Sequence, residues 1–356
     1  MHREEPDRFH DLLSPDDVER LICSSALRFP AFRLVRDGAA LEPSEYTTEL
    51  GWKPTPFTGT FDVDRVLDQF EGGTTIVLQA LHHNWGPLAA FCRSLEATLG
   101  EPVQANAYFT PRSAQGLAVH HDTHDVFVLQ VAGEKHWRVY EPVLDLPLQG
   151  QPYSRARHGD PGPPVEDCVL RAGDTMYLPR GWLHDALTTD SESLHVTVGV
   201  KVYTWLDAAK AALEACGVDV GFRRSVPEHG EMRDDLLAAL AERLSPAEVA
   251  RRKRTRLVKS RRPVRDGQLS QLRALEELTV ETPLERRPAV TELDFPILFF
   301  DGKSLTFPAR IEEEIEFVVS ADAPFTAAEL PGSLDDAGRL VLARRLVREG
   351  FLRIQT

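Results

Sequence analysis

The sequence predicts an α+β chain: a small β barrel or sandwich preceded by helices, then a helical region, then a short body ending in helix and strand. Three observations predict it. Between residues 74 and 200, the short β-rich runs TTIVLQA, VQANAYF, GLAVHHD, DVFVLQV, KHWRVY, DCVL, DTMYLP and SLHVTVGV alternate with turn residues, the spacing of a sandwich or small barrel. After Trp205, apolar residues recur three and four apart in LDAAKAALEAC, MRDDLLAALAERL and LSPAEVARRKR, which is the helical period. The last stretch carries FTAAELPG, DDAGRLVLARRLVREG and FLRIQT, a short helix, a longer helix and a terminal strand, the order that closes a winged helix.

These observations divide the chain into residues 1–205, a barrel with N-terminal helices, residues 206–290, a helical region, and residues 291–356, a winged helix. Ser14 is placed to cap the first helix, with Asp16 and Asp17 in its first turn. A second helix is expected from Trp85 to Leu99.

Composition narrows the classes of function. With 42% hydrophobic and 27% charged residues, the 356-residue chain is neither disordered nor collagen-like. Its formal charge of −14 repels a phosphate backbone, so DNA is not an expected partner. Cys23, Cys92, Cys168 and Cys216 lie far apart, the usage of a reducing compartment. The charged start MHREEPDRFH lacks the apolar stretch of a secretory signal, and no segment has the roughly 18 apolar residues that span a bilayer. A cytoplasmic protein without membrane contact is expected.

One segment departs from the acidic average: Arg251 to Arg265, with nine basic residues in fifteen. A contact for RNA or for a ribosome-associated substrate is one reading, and a solvated helix end balancing acidic neighbours is the favoured one. It holds no aromatic residue on which a base could stack. From Thr291 to Thr356, seven Lys and Arg face twelve Asp and Glu, the wrong sign for a duplex reader, so a packing or protein-contact module is expected there.

The chemistry concentrates in GLAVHHDTHDVFVLQVAGEKHWRVY, residues 116–140. On a strand, residues two apart share a face, so His120 and Asp122 project together while His121 points away. One imidazole and one carboxylate are two thirds of the two-His-one-carboxylate set that binds Fe(II) and leaves coordination positions open. The third ligand is sought 64 residues on, in GDTMYLPRGWLHDAL, where His184 follows a strand and a Pro179-Arg180-Gly181 turn. An isolated HxD carries little information, because a solvated or core-satisfied pair is its commoner meaning.

The surrounding motifs give it meaning. Asn106-Ala107-Tyr108, Gln115-Gly116, His120-His121-Asp122, the run Asp125 to Gln130, Gly133 to Tyr140, Gly173-Asp174, Leu178 to Gly181 and His184 stand in one order. In that order the chain resembles the Jumonji C (cupin-like) Fe(II)/2-oxoglutarate oxygenases, and within them the ribosomal oxygenases, which hydroxylate ribosomal proteins. The resemblance covers almost the whole chain. It implies a double-stranded β-helix (jelly-roll) barrel, a helical dimerisation region and a winged helix, with a homodimer as the assembled form.

The resemblance also implies that His120, Asp122 and His184 ligate Fe(II) and that Lys135 pairs with the distal carboxylate of 2-oxoglutarate. The physics agrees, since a buried dicarboxylate needs a cation at its far end. A solvated lysine in an AGEK hairpin turn is the alternative for Lys135. Asn106 and Tyr108, and likewise His195 and Thr197, are two residues apart on strands and are expected to line the interior, near cosubstrate or target, or as hydrogen-bonded wall residues. His124 could sit near the metal mouth; His136 and the adjacent His82 and His83 carry less weight. The implied reaction consumes O2 and 2-oxoglutarate and yields succinate, CO2 and a hydroxylated protein or peptide side chain. A zinc hydrolase would also use His and Asp ligands but has no need of Lys135. Two other readings stay open: a hydroxylase of another peptide, such as a natural-product precursor, and a non-catalytic binding module.

Overall fold

A computed structural model describes residues 1–3, 5–25, 27–51, 57–226, 233–263, 265 and 267–355. They form two compact units, residues 1–95 with 103–202, and residues 96–102 with 203–356.

The first unit opens on α1 (Pro15–Ser24). Its start is fixed as the sequence predicts: the Ser14 hydroxyl accepts from the Asp17 N–H, and the Asp17 carboxylate accepts from the Ser14 N–H, which satisfies two donors a helix end leaves orphaned. Strands β1 (Phe32–Arg36), β2 (Ala39–Ala40), β3 (Thr47–Leu50) and β4 (Phe57–Phe61) precede α2 (Val63–Glu71), β5 (Thr75–Leu78) and α3 (Gly86–Leu99). The remaining elements are β6 (Val103–Thr110), β7 (Asp125–Tyr140), the one-turn α4 (Arg155–His158), β8 (Glu166–Arg171), β9 (Thr175–Leu178), β10 (Leu183–Leu187) and β11 (Ser193–Val200). Nine of these strands make one antiparallel sheet in the order β10-β7-β11-β6-β5-β1-β2, with β8 and β9 also on β7. Phe32, Leu34, Val196 and Val198 are among its fully buried side chains and anchor the core on the side away from the site.

Strand β7 organises the barrel. Its first half pairs with β9 and β11, and its second half with β8 and β10. The runs DVFVLQV and KHWRVY are therefore one continuous strand, and the hairpin alternative for AGEK is corrected. A bulge interrupts it: Leu194 faces Ala132 and His195 faces Gln130, so Val131 is an extra residue without a partner. One extra residue reverses the alternation of faces. Before it, Val126 and Val128 line the interior from even positions; after it, Lys135 and Trp137 line it from odd ones.

A second correction concerns GLAVHHD, which is not a regular strand. It is held by isolated bridges, Gly38 to Leu117, Gln115 to Leu187 and His120 to His184. Its glycine and adjacent polar residues give a continuous ladder little to bury.

The second unit contains α5 (Trp205–Cys216), α6 (Asp234–Arg243), α7 (Pro246–Lys259) and α8 (Gln268–Ala274). Met232, placed by the sequence in the second of these helices, lies outside the described residues. Next come β12 (Pro283–Arg286), β13 (Thr291–Asp294), β14 (Ile297–Phe300), β15 (Lys303–Thr306), α9 (Glu312–Ser320), β16 (Phe325–Thr326), α10 (Asp336–Glu349) and β17 (Leu352–Ile354). Two three-stranded sheets, β16-β12-β17 and β13-β14-β15, share a core running from Leu275 to Ile354. The helical region expected to reach residue 290 thus ends at Ala274. Leu284 of β12 pairs with Ile354 and is fully buried, so tertiary pairing with the chain's last strand overrides what a four-residue run reveals alone.

The basic run Arg251 to Arg265 is largely paired within this unit. Arg251 and Arg252 bond Glu248, Lys253 meets Glu101, Arg261 meets Glu96, and Arg265 lies 3.9 Å from Asp301. Among the described residues no helix is long and apolar enough to cross a membrane.

Candidate functional site

The barrel mouth brings together three side chains that sequence spacing singled out. His120 and His184 exchange backbone hydrogen bonds, N–H of His120 to O of His184 at 3.1 Å and the reverse at 2.8 Å. Directly opposed residues of an antiparallel pair project to the same side, so the two imidazoles meet with centroids 4.4 Å apart. Asp122 joins them, its Oδ2 3.8 Å from His184 Nε2. One donor atom from each of the three lies within 4.8 Å of the others.

Each ring is set for ligation by its own backbone. His120 Nδ1 lies 2.8 Å from the Ala118 carbonyl, and His184 Nδ1 lies 3.1 Å from the Trp182 carbonyl. A carbonyl only accepts, so both Nδ1 atoms carry the proton and both Nε2 lone pairs are free for the cleft. Burial, with a smaller contribution from His120 and against the opposing pull of Asp122, brings His184 down to about 4, so this ring is neutral at physiological pH. Two imidazoles and one carboxylate on one face, with the remaining directions open, fit the donor set that Fe(II) takes.

Lys135 lies on the same cleft, just past the bulge. It is buried, and Nζ donates to Thr110 Oγ1 at 2.8 Å, while Thr75 donates to the same oxygen at 3.1 Å. Among the described residues no carboxylate pairs with it. Burial lowers its pKa to about 7. Thr110 and Thr75 were missed by the sequence reading. The signal was available for Thr110, which continues the face of Asn106 and Tyr108 at a spacing of two.

The other expected wall residues also line this cleft. His195 pairs with Tyr108 and Thr197 with Asn106 across β11 and β6. The Tyr108 and His195 rings stack at 4.8 Å and 2°. Asn106 Oδ1 accepts from the Ala80 N–H at 2.9 Å, and burial raises the pKa of the Tyr108 hydroxyl. Burial drives His195 well below the usual histidine range, reinforced by Lys135 and His184, so it too is neutral.

The remaining histidines separate cleanly. His121 points away from the ligands and bonds the Gln151 carbonyl at 2.8 Å. His136 faces outward onto Asp167. His82 accepts from the Ala105 N–H at 3.2 Å, and its ring lies 4.0 Å from that of His83 at a tilt of 41°. His124 lines the cleft. Asp185, beside His184, was not foreseen: its buried carboxylate accepts from Arg138 and from Tyr140.

The barrel carries a His-Asp-His face and a buried lysine on one cleft, and residues 81–208 match the family model described as the JmjC domain. More particularly, the chain is similar to the ribosomal oxygenases. Ribosomal oxygenase 1 of Danio rerio is 32% identical over 242 residues, 64% of this chain and 42% of that protein. The bifunctional lysine-specific demethylase and histidyl-hydroxylase NO66 of Drosophila persimilis is 43% identical over 112 residues, 31% of this chain and 16% of that protein. The chain therefore spans less than half the length of these curated relatives. The ribosomal oxygenase YcfD of Escherichia coli, solved with cobalt and 2-oxoglutarate, matches with a TM-score of 0.57 and 18% identity over 97% of this chain and 91% of that one, a shared fold.

Proposed function

We propose that this protein is an Fe(II)- and 2-oxoglutarate-dependent hydroxylase acting on an Arg or His side chain of a ribosomal protein. The observation that carries it is Lys135, a buried amine with one hydroxyl partner, Thr110, and no counter-ion among the described residues, on the cleft that also holds His120, Asp122 and His184. A buried ammonium is costly unless an anion arrives with it, and 2-oxoglutarate brings a carboxylate. The names of the similar proteins, ribosomal oxygenase and histidyl-hydroxylase, support the choice of substrate.

Each residue then has a task. His120 and His184 offer Nε2 lone pairs, and Asp122 supplies the negative charge. Iron held there supplies oxidation of a C–H bond by O2, coupled to decarboxylation of 2-oxoglutarate to succinate and CO2. Lys135, with Thr110, holds the distal carboxylate of the cosubstrate. Asn106, Tyr108, His195 and Thr197 orient what binds beside the ligands, and Val126, Val128 and Trp137 keep water out.

The proposal extends to the rest of the chain. The helices α5 and α6 expose Trp205, Leu206, Leu213 and Leu237, which suits pairing with a second copy in a homodimer. The order of elements from β12 to β17, with its acidic charge, suits a winged helix used for protein contact. A ribosomal substrate places the protein in the cytoplasm.

The test is anaerobic addition of Fe(II) and 2-oxoglutarate to purified protein, read by the charge-transfer absorption of the ternary complex. The band forms in the wild type, is lost in Asp122→Ala and weakens in Lys135→Ala. Iron binding that ignores 2-oxoglutarate would overturn the role of Lys135, and no iron binding at all would favour a non-catalytic module.

A further inference from the structure

The cleft has direction. On β6, Thr110, the partner of Lys135, stands six residues from Gln104, which is about 20 Å along a strand. Gln104 pairs with Gly199 of β11, and His124 lies over Gly199 so closely that a Cβ there would fall on the imidazole. His124 thus sits at the end of the cleft opposite Lys135. The ligands lie between: Trp137, two residues past Lys135, has its ring 5.4 Å from His195 and 6.0 Å from His184, while Asp122 stands two residues before His124. If 2-oxoglutarate occupies the Lys135 end, the end left for the target is the one His124 borders.

His124 also differs in its bonding. His120, His184 and His121 each spend a ring nitrogen on a backbone carbonyl. Among the described residues, neither nitrogen of His124 has a hydrogen-bond partner, although the ring is largely withdrawn from solvent and lines the cleft. Glycine at position 199 makes its seat. Such a group presents a donor and an acceptor to whatever enters at that end.

We infer that His124, seated on Gly199, is a specificity-determining residue that hydrogen-bonds the target side chain, and that the target carries a polar, hydrogen-bonding group. The inference rests on the hydroxylase reading. A site built to bond a polar substrate group rejects analogues that lack it far more strongly than an apolar pocket rejects a missing methylene.

The test uses iron-loaded full-length protein with 2-oxoglutarate, O2 and total ribosomal proteins as the probe, read by mass spectrometry for gain of one oxygen, and separately by succinate formed without probe. A synthetic peptide spanning the modified site is then titrated into the cobalt-substituted protein. His124→Ala is expected to lower kcat/KM for the probe and weaken peptide binding by about tenfold or more, leaving uncoupled succinate formation within about twofold of wild type. Gly199→Ala, which displaces the ring, is expected to move both in the same direction, and His124→Gln to restore part of the loss. Equal losses with and without probe in His124→Ala overturn the inference, as does modification of an aliphatic side chain. No succinate from wild type under any condition overturns the hydroxylase reading itself, whereas succinate from wild type with every ribosomal protein unmodified overturns the substrate assignment alone.

Discussion

His120 and His184, 64 residues apart in the chain, are a directly opposed backbone pair, and this bridge puts two imidazoles on one side with Nε2 free. The pair sets ring positions before any metal arrives, because each Nδ1–H is already committed to a carbonyl two residues back. Asp122 adds the negative charge that imidazoles lack. Asp122→Asn keeps the volume and removes that charge. Its Co(II) affinity should fall by at least about a hundredfold, with the fold unchanged by circular dichroism. Undiminished d–d absorption at stoichiometric Co(II) would falsify the assignment of Asp122 as a ligand.

The second prediction concerns Lys135 and pH. Its pKa in the free protein is lowered to about 7 by burial, so above that pH the amine is mostly neutral. A bound carboxylate favours the ammonium and raises the pKa, so binding 2-oxoglutarate takes up a proton above pH 7. Apparent affinity should be full below about pH 7 and fall as pH rises, by up to about tenfold per unit. Calorimetry at pH 8 in buffers of different ionisation enthalpy should report uptake approaching one proton, absent in Lys135→Met.

The same shift has a consequence for stability, with the sign fixed by linkage. Between pH 7 and about 10.5 the unfolded chain holds a proton at this lysine that the folded chain does not, so stability of the cosubstrate-free protein rises with pH across that window. At neutral pH the buried lysine costs several kcal/mol, on the order of 1.4 kcal/mol per unit of displacement. Lys135→Met should therefore raise the melting temperature at pH 7 while abolishing the response to 2-oxoglutarate. A fall in melting temperature would mean that the Thr110 contact outweighs the burial cost.

How Lys135 reaches the cleft was not legible in the sequence. That His120, Asp122 and His184 belong together was, because HxD and a later His after a Pro-Arg-Gly turn survive as spacing whatever holds them. The strand that was expected to align His120 with Asp122 is absent, and a single bridge does its work. AGEK is compatible with a turn, and only tertiary pairing decides that it continues a 16-residue strand through a bulge. Thr75 was invisible because its relation to Lys135 runs through Thr110, across three strand pairings, β5 to β6, β6 to β11 and β11 to β7. In the second unit, β12 was lost because four residues become a strand only by pairing with β16 and β17.

The bulge makes a prediction of its own. Gly133 sits beside it with φ +63°, and a Cβ there would fall on the Glu192 carbonyl. Gly133→Ala meets strained backbone and a clash together, and should cost about 2 kcal/mol or more. Relief requires β7 to shift against β11, and Lys135 lies two residues further on. The variant should lose affinity for 2-oxoglutarate by about tenfold or more while still binding Co(II), whose proposed ligands lie on other segments. A variant that melts earlier yet binds 2-oxoglutarate normally would show that the bulge does not set the position of Lys135.

Asp185 offers a test of what lies behind the metal ligands. Its carboxylate is 2% exposed and accepts from Arg138 Nε at 3.1 Å, from Arg138 Nη2, and from the Tyr140 hydroxyl at 3.1 Å. Arg138 and Asp185 are opposed on β7 and β10, one residue along from the pairing of His184 with Val139. Removing the carboxylate leaves a phenol and a guanidinium without their acceptor, a change that costs about 1–2 kcal/mol because water still reaches the 35% exposed Arg138 side chain. Asp185→Ala should therefore lower the melting temperature and loosen β10 where it carries His184, weakening Co(II) binding by about tenfold. The double variant Asp185→Leu, Arg138→Met, which leaves no uncompensated charge, should recover most of the stability. If metal affinity returns along with it, packing of β10 positions His184; if stability returns alone, the carboxylate acts on the site directly.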